Sequence, residues 1–114
     1  MDRKEHFKKW KEIILATSSK EGLPNANIVI SLGLVDDKLL LADCQMSTTI
    51  KNLQENKTIC VIGGYCRIKG EVEIFSSGKY FDICAQESKG YTVKNAILIS
   101  IHDVFDLNEG QKIL

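Results

Sequence analysis

The chain has 114 residues, 44% of them hydrophobic and 26% charged, with fifteen basic residues balancing fifteen acidic ones. A chain of this size buries roughly two-thirds of its unfolded surface, enough for one core without metal or disulfide staples, so residues 1–114 read as a single domain. The charge balance argues against a polyanion partner such as a nucleic acid. No stretch approaches the ~20 apolar residues of a membrane span, and the polar start MDRKEHFKKWKE lacks the apolar core of a signal peptide, so the expected location is cytoplasmic and off the membrane.

In chain order, residues 3–12 place Phe7 and Trp10 three apart with Ile14 four further on, the apolar stripe of a short amphipathic helix. Ile13 to Ser18 loses that period and gains apolar density, as a strand does. Lys20-Glu21-Gly22 makes a turn. Asn25 to Val35, rich in Ile and Val, reads as one long second strand. Asp36-Asp37 is a tight turn, and Lys38 to Ala42 pairs back as a third strand. Ser47-Thr48-Thr49 then opens a helix that closes at Asn56.

Thr58 to Ile62 is a buried type of strand, followed by a turn at Gly63-Gly64. From Cys66 to Phe75 the residues alternate, with Ile68, Gly70, Val72 and Ile74 on one face and Arg67, Lys69, Glu71 and Glu73 on the other. A helix over about residues 79–88 and a last strand from Ala96 to Phe105, in which Ile97, Ile99 and Ile101 alternate with Leu98 and Ser100, complete the chain. Six mostly adjacent antiparallel strands with a few short helices suggest a mainly β fold, a closed or nearly closed barrel without exposed sheet edges.

The four cysteines, Cys44, Cys60, Cys66 and Cys84, form no CxxC pair and have no companion histidine cluster, so no metal site is expected and reduced, buried thiols are the reading. Cys60 and Cys66 alone are spaced to face one another across a hairpin. His102-Asp103 are neighbours on a strand and point to opposite faces, which argues against a catalytic pair.

The stretch that carries chemistry is Leu41 to Leu53, where a strand runs into a helix whose first turn bears Ser47, Thr48 and Thr49. Free N–H groups and the positive end of the helix dipole make such a turn an anion site, to which three hydroxyls add. The same residues are also ordinary helix caps.

The order GLPN, strand, DDKLLLAD, MSTT with NL and EN after it, strand, IKGEVEI, helix and AILISI resembles the FMN-binding split-barrel family, which includes pyridoxamine-phosphate-oxidase-like proteins. It is most similar to the small dimeric FMN-binding proteins. The resemblance runs from about Ile13 to Ile101 and implies a six-stranded antiparallel split β-barrel with FMN at a two-fold homodimer interface. It further implies that Ile28, Val29 and Ile30 contact the flavin ring, that Leu41, Ala42, Cys44 and Gln45 line the ring and ribityl chain, and that Met46, Ser47, Thr48 and Thr49 hold the phosphate.

Relatives often carry Lys or Arg where this chain has Thr48, which leaves Lys51, Arg67 or a residue of the second subunit as the available cation. Tyr91 falls near the place where relatives cover the ring with an aromatic. The implied activity is electron transfer or a small flavin-dependent oxidoreduction with an unknown redox partner or small substrate; bound flavin carries that chemistry, so no protein side chain needs to be catalytic. Three alternatives stand beside it. The first is oxidation of pyridoxamine phosphate, although the tail NEGQKIL offers only Lys112 for a second phosphate. The second is binding of haem or a deazaflavin, with His6 and His102 the only histidines. The third is a barrel without cofactor that serves as an interaction protein.

Overall fold

The computed structural model describes residues 3–113, the side chain of Arg3 excepted. Its elements are α1 (Arg3–His6), β1 (Glu12–Ser18), β2 (Pro24–Ile30), β3 (Leu34–Val35), β4 (Lys38–Asp43), α2 (Thr48–Glu55), β5 (Thr58–Gly63), β6 (Cys66–Phe75), α3 (Lys79–Glu87), β7 (Asn95–Asp106) and β8 (Gln111–Lys112). All strand pairs are antiparallel, and the sheet runs β2-β1-β5-β6-β7-β4-β3, with β8 added to β7. The two ends of that path, β2 and β3, are consecutive in the chain and joined by residues 31–33. The connection brings the sheet's edges together without pairing them, and this is the split barrel.

The expected elements are present with four differences. First, the strands number eight. The run from Asn25 to Val35 is broken at Ser31-Leu32-Gly33, where Gly33 takes φ +87°, a conformation open to glycine, and β8 adds a two-residue pairing at the end. Second, the N-terminal helix stops at His6. Trp10 N–H donates to Ser31 O at 2.8 Å and Ser31 N–H to Lys11 O at 2.8 Å, and these bonds draw residues 10–11 out of any helix. Phe7 is buried, Trp10 is exposed and Ile14 lies on the outer face of β1, so the three do not share a stripe.

Third, Cys60 lies opposite Lys69 and Cys66 opposite Gly63, so Cys60 and Cys66 do not face each other; none of the four cysteines is in a disulfide. Fourth, β7 buries four consecutive residues, Ala96 to Ile99, where alternation had suggested one buried face. Its second face is covered by α3.

The inner core fills the barrel with Phe7, Ile13, Leu15, Leu39, Leu41, Leu53, Val61, Ile68, Ile97 and Ile99 among others. A second cluster lies outside it, where Leu40, Ala96 and Leu98 meet Cys84 of α3 together with Leu32 and Val93. Two local features hold the register. Asp36 and Asp37 both take positive φ, +53° and +66°, as a two-residue hairpin joining β3 to β4 requires. Gly70 sits at an irregularity in the β6–β7 pairing, where any Cβ would run into the Ser100 carbonyl.

Candidate functional site

The site begins at the bend from β4 into α2. Asp43, 1% exposed at the end of β4, accepts a hydrogen bond from Met46 N–H on one oxygen at 2.9 Å and from Asn95 Nδ2 on the other at 2.8 Å. Its backbone carbonyl also accepts from Lys94 N–H at 2.8 Å. One carboxylate therefore fixes the turn ahead of the helix and ties it to the start of β7. An Asp at such a position is the residue type that closes a turn on its own side chain.

Three polar contacts then dock α2 on β1 and β2. Asn25 Nδ2 donates to Thr49 Oγ1 at 3.2 Å, Asn52 Nδ2 to Thr17 Oγ1 at 3.1 Å, and Asn56 Nδ2 to Ser18 Oγ at 3.1 Å. Asn25 also donates to Asn27 Oδ1 at 2.8 Å. The helix start is thus held at the Pro24 end of β2. Ser47 is the N-cap residue, yet its side chain makes no capping bond, and no acidic residue stands in the first turn. Ser47 and Thr48 are exposed, whereas Thr49 is buried and engaged with Asn25. The first amides of the helix have no partner one turn back, because the first helical bond is from Lys51 N–H to Ser47 O.

Beside this turn opens a cleft of about 610 Å³ across the seam between β2 and the end of β4. Seven of the sequence-derived site residues line it: Ile28, Val29, Ile30, Ala42, Cys44, Gln45 and Met46. Tyr91, expected near the ring, lines it too. Leu41 does not. Its side chain is wholly buried in the barrel core, and its carbonyl accepts a bond from Cys84 Sγ at 3.5 Å. Ser47, Thr48 and Thr49 lie next to the cleft along the chain without lining it. Lys51 is exposed on α2, one turn in from Ser47. Arg67 lies on β6, where its guanidinium sits over the Phe105 ring at 4.7 Å from the centroid and its buried Nε has no hydrogen-bond partner.

The remaining lining residues are Trp10, Asn27, Leu32, Glu87, Ser88 and Lys89. Trp10, Glu87, Ser88 and Lys89 were missed because they come from the N-terminal segment and from the end of α3 and the loop after it, which only the tertiary fold brings here. Asn27 had a signal, an amide that repeats Asn25 at the two-residue period of a strand face. The chemistry of the walls is quiet. Burial, with a smaller contribution from the nearby Asp43 charge, holds the Cys44 thiol above its ordinary range, so at neutral pH it is a protonated, weakly polar wall. Glu87 is paired with Lys9 at 2.9 Å. Among the described residues no group of three or more His, Cys, Asp or Glu could hold a metal. What remains is an apolar trough along β2, with a helix start and two uncommitted hydroxyls at one end, suited to a flat ring with an anionic tail.

The family model described as pyridoxamine 5'-phosphate oxidase matches residues 4–107. A curated relative, an uncharacterised protein of Methanocaldococcus jannaschii, is 28% identical over 110 residues, which is 86% of this chain and 74% of that protein. Among solved structures, HupZ of Group A Streptococcus superposes with a TM-score of 0.84 at 23% identity, covering 100% of this chain and 99% of that one. An FMN-binding protein of Syntrophomonas wolfei gives a TM-score of 0.68 at 19% identity, covering 92% of this chain and 87% of that one. No helix among the described residues is long and apolar enough to cross a membrane.

Proposed function

The chain belongs to the pyridoxamine 5'-phosphate oxidase family, and from that premise we propose that it is an FMN-binding flavoprotein serving electron transfer or a small flavin-dependent oxidoreduction. The observation that carries this reading is the adjacency of an apolar trough and an uncapped helix start, joined through Gln45 and Met46. The residues present fit the group. Ser47 and Thr48 offer hydroxyls and the first turn of α2 offers amides to a phosphate, with no carboxylate in that turn to oppose it.

Bound FMN supplies the hydride and electron chemistry; the chain supplies the site. β2 ends the sheet path, so its alternate amides and carbonyls face the seam rather than a neighbouring strand. These groups meet the polar edge of a flat heterocycle, while Ile28, Val29, Ala42 and Met46 cover its apolar area and exclude water. Asp43 holds the helix start in place through Met46 N–H, so the phosphate end is positioned before any ligand arrives.

The working unit in this reading is a homodimer. Ile28 and Ile30 line the cleft and also stand exposed on the outer face of the sheet, where Ile28 pairs across to Ile14 and Ile14 to Ile62. With Ala16 and Ala26 beside them they form an apolar face of the kind that marks an interface. A second copy seated there completes the wall of the cleft.

The test is binding of FMN and of riboflavin to the purified chain by equilibrium dialysis. We expect FMN to bind and to exceed riboflavin in affinity by roughly tenfold or more, since a hydrogen bond to a charged group contributes about 1.5–3 kcal/mol. Ser47→Ala with Thr48→Ala lowers FMN binding and leaves riboflavin binding unchanged. A chain that takes up no FMN overturns the reading.

A further inference from the structure

Trp10, the sole tryptophan of the chain, is 57% exposed and sits at φ +76°. Both properties are costly. The left-handed region disfavours a bulky side chain, and an indole left in water forgoes the burial that makes tryptophan useful. Glycine would suit that backbone and the core would suit that ring, but the chain puts the indole in neither setting.

The surrounding bonds over-determine the position. Trp10 N–H donates to Ser31 O at 2.8 Å, and Ser31 N–H donates to Lys11 O at 2.8 Å. The Ser31 hydroxyl donates to Phe7 O at 2.7 Å and accepts from Gly33 N–H at 2.9 Å. The segment is therefore clamped on both sides of Trp10, and the indole lines the cleft beside Ile30 and Leu32. Lys9 Nζ lies over the indole, 5.7 Å from its centroid, and pairs with Glu87, another lining residue. Tyr91, also largely exposed, stands on the same rim.

The place of the indole along the cleft matters. The Asn25–Thr49 bond sets the α2 start at one end of β2, and the Trp10–Ser31 bond sets the indole at the other. From Asn25 to Ser31 a strand rising about 3.3 Å per residue spans ~20 Å, the scale of a tricyclic ring with an extended phosphate tail. We propose that Trp10 is a ring-binding residue, whose indole stacks on the planar end of the ligand at the end of the cleft away from the anion turn. This rests on the flavin reading above and adds a contact to it.

The experiment uses FMN as probe and Trp10 as its own reporter. Saturating FMN quenches the tryptophan fluorescence of the wild-type chain. Trp10→Gly weakens FMN binding by about 5- to 100-fold, the range that base stacking on an aromatic ring contributes, while the Tm of the ligand-free chain stays level or rises as the backbone relaxes. Trp10→Phe keeps a flat ring and restores most of the affinity. Wild-type binding that Trp10→Gly retains overturns the stacking role and leaves the flavin reading standing. A Tm several degrees lower in Trp10→Gly marks the indole as a packing residue and overturns the role as well. Absence of FMN binding to the wild-type chain overturns the flavin reading, and the stacking role falls with it.

Discussion

The Ser31 hydroxyl donates to the Phe7 carbonyl at 2.7 Å, across 24 residues of sequence, and both residues are wholly buried. Through this bond the break between β2 and β3 holds the N-terminal segment that carries Trp10. Ser31→Ala leaves the Phe7 carbonyl and the Gly33 amide without a partner in the core. Losing a buried partner costs about 1–3 kcal/mol per group left unsatisfied, so urea unfolding of Ser31→Ala is expected to show a loss of about 2–4 kcal/mol. An unchanged midpoint would mean that the hydroxyl does not organise this junction.

Asp43 is the second such junction. Asp43→Ala strands Met46 N–H and Asn95 Nδ2 together, and the expected loss is about 2–4 kcal/mol. Asp43→Asn keeps one acceptor oxygen and loses less. In the reading above the phosphate end is held by the turn that Asp43 fixes, so FMN affinity falls in both variants, more in Asp43→Ala. Paired denaturation and dialysis measurements give the ranking.

The outer face formed by Ile14, Ile28 and Ile62 sets the oligomer prediction. Ile28→Asp introduces a charge at a position 69% exposed in the single chain, where it costs the monomer little. In a dimer closed over this face it buries an unpaired carboxylate. Sedimentation velocity is expected to show a dimer for the wild type and a monomer for Ile28→Asp, with matching circular dichroism spectra. A wild-type monomer at all concentrations contradicts the interface.

Cys84 gives a pH prediction. Burial, with a smaller push from the Cys44 thiol, raises the Cys84 thiol to about 12 from its usual value near 9. The unfolded thiol ionises first, so above about pH 9 the unfolded state binds fewer protons than the native one. Stability is therefore full below pH 9 and falls as pH rises toward 12. Cys84→Ala removes that slope, which denaturation at pH 8 and pH 11 in the two proteins measures. The native thiol also resists alkylation at pH 8.

Much of the fold was legible because it is written in local pattern. Alternation in Cys66–Phe75, the Asp36-Asp37 hairpin and the hydroxyl-rich opening of α2 are short-range signals, and the structure follows each. Trp10 shows where such reading stops. Its spacing from Phe7 and Ile14 fits a helix period, but two backbone bonds to Ser31, distant in sequence, outweigh what four or five helical residues could gain. β7 shows another limit, since burial of both Leu98 and Ile99 depends on α3 lying across the outer face. At the site, β2 and the β4–α2 bend could be picked out by family order. Glu87, Ser88 and Lys89 could not, for nothing in the composition of that helix end and loop says which strand it will stand beside.

The seam between β2 and β3 has one more consequence. A barrel whose two edge strands are tied by covalent chain but not by a ladder resembles a garment closed at the collar and open below, and the cleft lies where that opening runs between β2 and the end of β4. Whatever fills it spans both margins and fastens them. Occupancy then registers along the whole length of both margins, as slower amide exchange along β2 and the end of β4, and the cohesion of the sheet becomes a quantity that the ligand sets.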